Sequence, residues 1–201
     1  YKTWEKEINN VLDNKYDIKN IQKNAFNTAN EFTWVKRVSK ILNELIWKYN
    51  MKILITGVAG FIGYNFCYYL LSKNKYKVYG IDNLDNYYDV KIKKDRLKIL
   101  KKFKKFRFKK LDIRDNHLLK TIFKTNKFDF VFNLAAQAGV RYSIKYPRKY
   151  IESNITGFFN IIENSKKYNV KRLFYASSSS VYGENKNFPL NEKEKINPKN
   201  I

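Results

Sequence analysis

The chain has 201 residues, of which 41 are Lys or Arg and 18 are Asp or Glu, so its formal net charge is +23. A hydrophobic fraction of 44% is enough for a sizeable core, and the length suits one domain with an appendage. The charge alone suggests nucleic acid, but Lys far outnumbers Arg, which is the better bidentate reader of phosphate. We therefore assign the basic excess to solvated faces and predict no nucleic-acid partner.

Cysteine and histidine usage excludes two further classes of site. Cys67 is the only cysteine and His117 the only histidine, so no disulfide can form within the chain and no metal site of the usual ligands is expected. No apolar stretch approaches the length of a membrane span, and no secretory signal opens the chain. These features predict a soluble protein of the reducing cytoplasm, with no membrane insertion.

Residues 1–50 differ in pattern from the rest and predict a helical extension. They are polar, carry apolar positions at helical spacing, and contain neither Gly nor Pro. The segment 25–37, which includes Phe-Thr-Trp at 32–34, resembles the C-terminal end of GT-B glycosyltransferases; an arbitrary amphipathic extension is the alternative. Met51, the only methionine, stands like an initiator at the start of the next segment, so a genuine fusion and a read-through join both stay open.

From residue 51 onward, apolar β-branched runs alternate with amphipathic runs. The pattern predicts strands at 51–56, 76–82, 105–111, 128–134 and 171–177, and helices near 61–73, 89–102, 115–125 and 147–168. Such alternation predicts an α/β fold, a Rossmann-type doubly wound parallel sheet of order 3-2-1-4-5. Ligands of such a sheet bind beyond its C-terminal strand ends, at the switch between strands 1 and 4.

The first predicted strand runs directly into Gly57, Gly60 and Gly63, and a helix follows. This geometry places a helix N-terminus against a pyrophosphate. Gly57 would allow the tight turn, Gly60 the approach of the backbone to phosphate, and Gly63 close packing of helix and strand. Asp82 ends the second strand, where the ribose 2′-hydroxyl needs an acceptor, and its charge would repel a 2′-phosphate. The sequence therefore predicts a dinucleotide site that favours NAD over NADP.

The later strands also end in polar or small residues. Asp112 could accept a hydrogen bond from an adenine amino group or cap the helix that follows. In the run 133–143, small residues let the backbone approach a cofactor, and Arg141 offers a fork for an anionic group or a structural ion pair. Asn and Gly within 153–157 lower helix stability, so a local reason is expected. The four serines at 177–180 suit hydrogen bonds to a substrate.

Together these motifs resemble the extended short-chain dehydrogenase/reductase family, in its nucleotide-sugar epimerase branch. The resemblance covers residues 51–201. It rests on T-G-x-x-G-x-x-G at 56–63, D-N-L at 82–84, L-A-A at 134–136, S-N at 153–154 and S-S-S-S-V-Y-G at 177–183. The runs 81–90 and 135–143 resemble the signatures of the UDP-glucuronate 4-epimerase group.

The resemblance implies NAD as cofactor, a UDP-sugar as substrate and a homodimer. It implies Ser178 as the catalytic serine, Ser177 and Ser179 beside the sugar, Asn154 as the active-site asparagine and Arg141 at the uronate carboxylate. The residues it implies for NAD are Gly57, Gly60, Phe61, Ile62, Gly63, Asp82, Asn83, Asp112, Ile113, Leu134, Ala135 and Ala136. The activity it implies is epimerisation at C4, from UDP-glucuronate to UDP-galacturonate through a 4-keto intermediate, in polysaccharide biosynthesis.

One departure from the family is the absence of its catalytic Tyr and Lys. The family carries them as Y-x-x-x-K shortly after V-Y-G, but this chain stops at Ile201, before that motif and the substrate lobe. The pairs Tyr69/Lys73, Tyr87/Lys91 and Tyr182/Lys186 have the same spacing but the wrong place in the fold. We therefore expect negligible turnover from the chain as it stands.

Several other functions share this pattern. A 4,6-dehydratase would usually carry Asp-Glu where Ser179 and Ser180 stand, and a uronate decarboxylase would usually carry Glu at the position of Ser180. Epimerases that act on UDP-glucose or UDP-N-acetylglucosamine stay open. A non-catalytic NAD-binding module is the alternative outside enzymes.

Overall fold

The apolar runs beyond residue 51 form one parallel sheet. The computed structural model describes residues 51–185, 190, 191 and 193–198, with the single helical residue Lys23. The predicted extension over 1–50 and its resemblance to a glycosyltransferase end otherwise lie outside the described residues. The strands are β1 (Lys52–Thr56), β2 (Lys77–Asp82), β3 (Phe106–Lys110), β4 (Phe130–Asn133) and β5 (Arg172–Tyr175). Their order, β3-β2-β1-β4-β5, confirms the predicted topology.

Helices fill the connections between the strands, as predicted. The first three are α1 (Phe61–Ser72), α2 (Val90–Leu100) and α3 (Asn116–Asn126). Between β4 and β5 lie α4 (Val140–Lys145), α5 (Pro147–Tyr150), a π-helical segment (Ile151–Gly157) and α6 (Phe158–Lys167), and a 3-10 turn (Ser179–Tyr182) follows β5. The sequence did not predict α4, and it predicted one regular helix where α5, the π-helical segment and α6 lie.

Two contacts give the local reason for Asn and Gly in the middle of the predicted helix. The Asn154 side chain accepts from the backbone N–H of Gln137 at 2.7 Å and donates to the carbonyl of the same residue at 2.9 Å. A Cβ at Gly157 would lie 2.6 Å from Cγ1 of Ile113, so this position packs against the loop after β3. The π-helical segment thus ties the connections after β3 and β4 together.

The central strand β1 is buried on both faces, which is typical of a parallel sheet covered by helices on each side. Ile53, Leu54 and Ile55 are fully buried. Cys67 on α1 is buried as well. None of the helices in the described part of the chain combines the length and the apolarity needed to cross a bilayer.

Candidate cofactor and substrate site

A cleft of about 190 Å³ opens beyond the C-terminal ends of β1, β2, β3 and β4, where the topology places a ligand. Ser153 of the π-helical segment also lines it. Nine of the twelve residues predicted to hold NAD line it: Gly57, Gly60, Asp82, Asn83, Asp112, Ile113, Leu134, Ala135 and Ala136. Phe61, Ile62 and Gly63 lie beside it in the first turn of α1. The structure thus assembles most of this set, and the contacts with NAD stay a prediction.

The loop between β1 and α1 has no room for side chains at two of its glycines. Gly57 has a φ of +66°, and a Cβ there would lie 2.8 Å from the backbone nitrogen of Ala135. A Cβ at Gly63 would overlap the carbonyl oxygen of Gly57. Only glycine therefore lets the loop turn this tightly and lets α1 start directly beneath it.

The N-terminus of α1 lacks the protein groups that normally satisfy a helix end. Asp89 caps α2 by accepting from Lys91 N–H, and Asp115 caps α3 by accepting from Leu118 N–H. The N-cap of α1 is Gly60, which makes no side-chain cap bond, and its first turn contains no acidic residue. Uncapped N–H groups at the positive end of a helix suit an anion. This end fits a diphosphate.

Asp82 fixes the glycine loop from the end of β2. Its carboxylate is 5% exposed and accepts from the N–H groups of Ala59 at 3.0 Å and Leu84 at 2.8 Å. The ammonium of Lys93 lies 3.9 Å from the same carboxylate and donates to the carbonyl of Asp85 at 2.9 Å. Because a carboxylate has about four acceptor sites, two stay available to a ribose hydroxyl.

Lys93 is a cleft residue that the sequence analysis missed. It is 7% exposed and lines the cleft from α2, where it shares a buried face with Leu97 and Leu100. Its spacing was the available signal. Lys93, Leu97 and Leu100 have the i, i+4, i+7 spacing of the apolar stripe of a helix, so Lys93 falls within that stripe. Since a buried ammonium requires partners, that place in the stripe indicates a site rather than a solvated face.

The carboxylate of Asp112 is bound by the guanidinium of Arg114. It accepts from Nε and Nη2 of Arg114 and from Nδ2 of Asn83, each at 2.9 Å, and from the N–H of Arg114. Burial raises the pKa of Asp112, but the bonds from Arg114 and Asn83 outweigh this and lower its pKa below the usual value. The alternative that Asp112 caps α3 is wrong, because Asp115 does so. These four bonds occupy the carboxylate's acceptor sites, so an adenine amino group would have to replace one of them. The contact with adenine stays a prediction.

Buried and half-buried side chains hold the loop after β4, which carries the small residues of the cleft. The hydroxyl of Thr56 donates to Oδ1 of Asn133 at 2.7 Å and accepts from the N–H groups of Leu134 and Ala135 at 3.1 and 3.0 Å. The hydroxyl of Tyr150 donates to the carbonyls of Ala138 and Gly139. Burial raises the pKa of Tyr150, so it stays a neutral donor. Neither Thr56 nor Tyr150 has a role that was predicted from the sequence.

Four of the five predicted substrate residues are exposed and are not among those that line the cleft: Ser177, Ser178, Ser179 and Arg141. Ser178 caps the 3-10 turn by accepting from Ser180 N–H at 3.2 Å, and its hydroxyl lies 3.1 Å from that of Ser180. Ser177 and Ser179 are exposed beside it. Arg141 is exposed on α4 and makes no hydrogen bond or ion pair with any residue that the structure describes, so the ion pair considered for it is not seen there.

Asn154 and Tyr87 lie in surroundings other than those expected from the sequence. Asn154 holds the backbone of Gln137, as described above, so its contact with a sugar stays a prediction. Tyr87, which the sequence analysis set aside as half of a misplaced pair, lines the cleft and packs its ring 4.9 Å from that of Tyr142. Aromatic side chains thus form part of the wall near the loop after β4.

Comparison with known proteins agrees with this site. The family model described as GDP-mannose 4,6 dehydratase matches residues 54–201. "Protein CapI" of Staphylococcus aureus is 49% identical over 73% of this chain and 43% of its own length. The UDP-glucuronate 4-epimerase of Thermodesulfobacterium geofontis is 49% identical over 64% of this chain and 40% of its own length.

A solved structure extends the likeness to the fold. The crystal structure of UDP-glucuronic acid 4-epimerase from Bacillus cereus, in complex with UDP-glucuronic acid and NAD, has a TM-score of 0.68 and 33% sequence identity, and covers 75% of this chain and 47% of that one. This chain thus spans less than half the length of the relatives it matches. Over residues 54–201 it belongs to the GDP-mannose 4,6 dehydratase family, among the short-chain dehydrogenase/reductase epimerases and dehydratases that its motifs predicted.

Proposed function

We propose that the protein of which these residues form the cofactor-binding part epimerises UDP-glucuronate at C4 to UDP-galacturonate, with NAD as cofactor. The observation that carries the proposal is the backbone cradle at 57–63, where the uncapped start of α1 meets the wall of the cleft. The named relative from Thermodesulfobacterium geofontis and the Bacillus cereus complex support the choice of substrate.

The residues of this chain bind and orient the reactants. The N–H groups of α1 hold the diphosphate, Asp82 accepts from the adenosine ribose, and the backbone at 134–136 lies along the nicotinamide side. Bound NAD supplies the acceptor and then the donor of the hydride at C4, by way of a 4-keto sugar. Ser178 hydrogen-bonds the reacting oxygen, and Ser177 and Ser179 hold the neighbouring hydroxyl groups.

The proton acceptor belongs to the part of the protein that this chain does not span. In the proposal it is the Tyr of Y-x-x-x-K, whose pKa is lowered by the neighbouring Lys. The substrate lobe belongs to the same part. The remaining elements of the proposal are a cytoplasmic location, a homodimer, and supply of the sugar nucleotide to polysaccharide biosynthesis.

Arg141 provides the test of the substrate. Its guanidinium has no partner among the described residues, so it is available to a uronate carboxylate as a bidentate donor. In the full-length protein, Arg141→Leu should lower kcat/KM for UDP-glucuronate by about tenfold or more, as expected for loss of a charge-assisted hydrogen bond. Turnover of UDP-glucose should change by less than about threefold, because UDP-glucose has no carboxylate at C6.

The matched control is Arg148→Leu, which removes a guanidinium that is 91% exposed and bonded to Glu152. It should affect both sugars alike. Equal losses for the two sugars in Arg141→Leu would remove Arg141 from substrate recognition. Tight NAD binding without turnover of any UDP-sugar by the full-length protein would instead favour the non-catalytic module.

A further inference from the structure

A second concave site lies at the opposite edge of the sheet, where the strands begin. Its volume is about 300 Å³, equal to that of roughly ten water molecules. Five cations line it, contributed by three strands and the turn before β3: Lys52, Lys77, Lys104, Lys105 and Arg107. No acidic residue of the described part of the chain is among those that line it.

The sheet register forces these charges together. Lys52 of β1 is directly opposite Lys77 of β2, and Arg107 of β3 is directly opposite Tyr79 of β2. Because residues directly opposite share a face, and Lys77 and Tyr79 are two apart, all four side chains lie on one face of the sheet. Like charges directly opposite one another destabilise a sheet. An anion in the cavity would relieve that repulsion.

Two of the five cations are already used by the fold. Lys52 Nζ donates to the carbonyl of Asn126 at 3.0 Å, and Lys105 Nζ donates to that of Asn74 at 2.6 Å. Asn126 ends α3 and Asn74 follows α1, so both bonds satisfy the negative ends of helices. The side-chain cations of Lys77, Lys104 and Arg107 make no hydrogen bond or ion pair with the residues that the structure describes. The charged groups of these three side chains are therefore available to a ligand in the cavity.

The remaining wall consists of Val78, Tyr79, Asn126 and Phe128. The rings of Tyr79 and Phe128 meet edge to face with centroids 5.7 Å apart. Burial raises the pKa of Tyr79 more than the charge of Arg107 lowers it, so the phenol stays neutral and can donate a hydrogen bond. The residues that line the cavity thus offer cations and a hydroxyl donor. The nearby carboxylate of Asp129 lies outside this lining, where it accepts from the backbone N–H of Lys52 at 2.9 Å and pairs with Lys171.

We propose that this cavity binds a compact polyphosphate, a small molecule with two or more adjacent phosphate groups, at one site per chain distinct from the cofactor cleft. The five cations converge on one open pocket of about 300 Å³. This convergence favours a compact anion over a nucleic-acid strand, which would need cations spaced along a continuous groove. Three unpaired cations match the several charges of such a ligand.

Calorimetric titration of the chain with tripolyphosphate, at physiological ionic strength and with and without saturating NAD, tests the proposal. We expect one saturable site, unchanged by NAD. The double variant Lys104→Gln/Arg107→Gln should weaken binding by about tenfold or more, because it removes two charged donors. The control Lys120→Gln/Lys166→Gln makes the same change of net charge on exposed faces of α3 and α6, and should stay within about twofold of the parent.

Three outcomes would overturn the proposal. An equal loss in the control variant would mean diffuse attraction by the basic surface. Displacement by NAD would place the anion at the start of α1. Binding of a single-stranded oligonucleotide at least a hundredfold tighter than tripolyphosphate, weakened by the cavity variant, would assign the surface to nucleic acid instead. Unchanged thermal unfolding of both variants verifies that the two comparisons use folded protein.

Discussion

Thr56 joins β1 to β4 beneath the cofactor cleft through a single hydroxyl group. It is fully buried, and its Oγ1 takes part in three hydrogen bonds, to the side chain of Asn133 and to the N–H groups of Leu134 and Ala135. A buried hydroxyl with three partners fixes the path of the loop it contacts. The small residues of that loop are therefore positioned by a side chain that itself lies outside the cleft.

Replacing Thr56 by Val tests this role, because Val keeps the shape but leaves one buried and two half-buried polar groups without the hydroxyl. We expect Thr56→Val to lower the free energy of unfolding by about 1–3 kcal/mol, the typical penalty for unsatisfied buried groups. Urea unfolding measures it. Thr56→Ser keeps the hydroxyl and should lose only about 1 kcal/mol for the missing methyl group. A Val variant as stable as the parent would show that the hydroxyl does not hold the loop.

At the scale of elements, an ionic network connects the end of β3 with the π-helical segment. Arg114 bonds to Asp112 through Nε and Nη2 and to Glu152 through Nη1 at 2.7 Å. Glu152 also accepts from Arg148 at 3.0 Å. Asp112 of this network lines the cleft, and so do the adjacent residues Ile113 and Ser153. The network therefore positions the cleft residues after β3 relative to the connection after β4.

The lowered pKa of Asp112 gives this network a pH signature. A carboxyl whose pKa is lower in the folded than in the unfolded state adds stability above its unfolded value, about 3.9, and that stability is lost as pH falls through the folded value. Arg114→Met should raise the pKa of Asp112 toward the unfolded value. The variant should therefore be less stable than the parent at pH 7, with the difference shrinking below about pH 4.

Urea unfolding at pH 7 and at pH 3 measures this difference. Arg148→Met serves as the control, because Arg148 bonds to Glu152 but not to Asp112. It should leave the acid limb of the stability curve unchanged. Parallel pH curves for the parent and Arg114→Met would show that Asp112 does not depend on the guanidinium.

The sequence predicted the elements whose signals are local and missed those set by tertiary contacts. The order of the strands followed from the alternation of apolar and amphipathic runs, and the glycine loop from its spacing. The π-helical segment depends on the bonds between Asn154 and Gln137, which no periodicity reveals. For Lys93 the spacing on α2 indicated burial, but its partners Asp82 and Asp85 follow from tertiary contacts. The site's backbone was thus predictable, and its supporting side chains were not.

For the whole molecule, cofactor binding should stabilise the fold as a unit. A ligand that binds only the folded state stabilises it by RT ln(1 + [L]/Kd), about 2.7 kcal/mol at a hundredfold excess over Kd. NAD should therefore raise the Tm of the chain in a concentration-dependent way. NADP should raise it less at equal concentration, because its 2′-phosphate would meet the buried carboxylate of Asp82.

Differential scanning calorimetry with each dinucleotide checks this expectation. Gly63→Ala is the matched variant, because its Cβ would overlap the carbonyl of Gly57 and disturb the cradle. It should abolish the shift with NAD. Equal shifts with NAD and NADP would mean that Asp82 does not select the cofactor, and no shift with either would remove the cradle from dinucleotide binding.

The strand order also has a consequence for how the chain assembles during synthesis. β1 can pair with β2 early, and β3 then joins β2. The other edge of β1 pairs with β4, and Thr56 meets Asn133 only 77 residues later. Until β4 has emerged from the ribosome, that edge presents the unpaired backbone N–H and C=O groups of residues 53–56 as a template for other chains. Long-range parallel pairing is also slow. The chain's greatest exposure to aggregation therefore falls between synthesis of β1 and synthesis of β4.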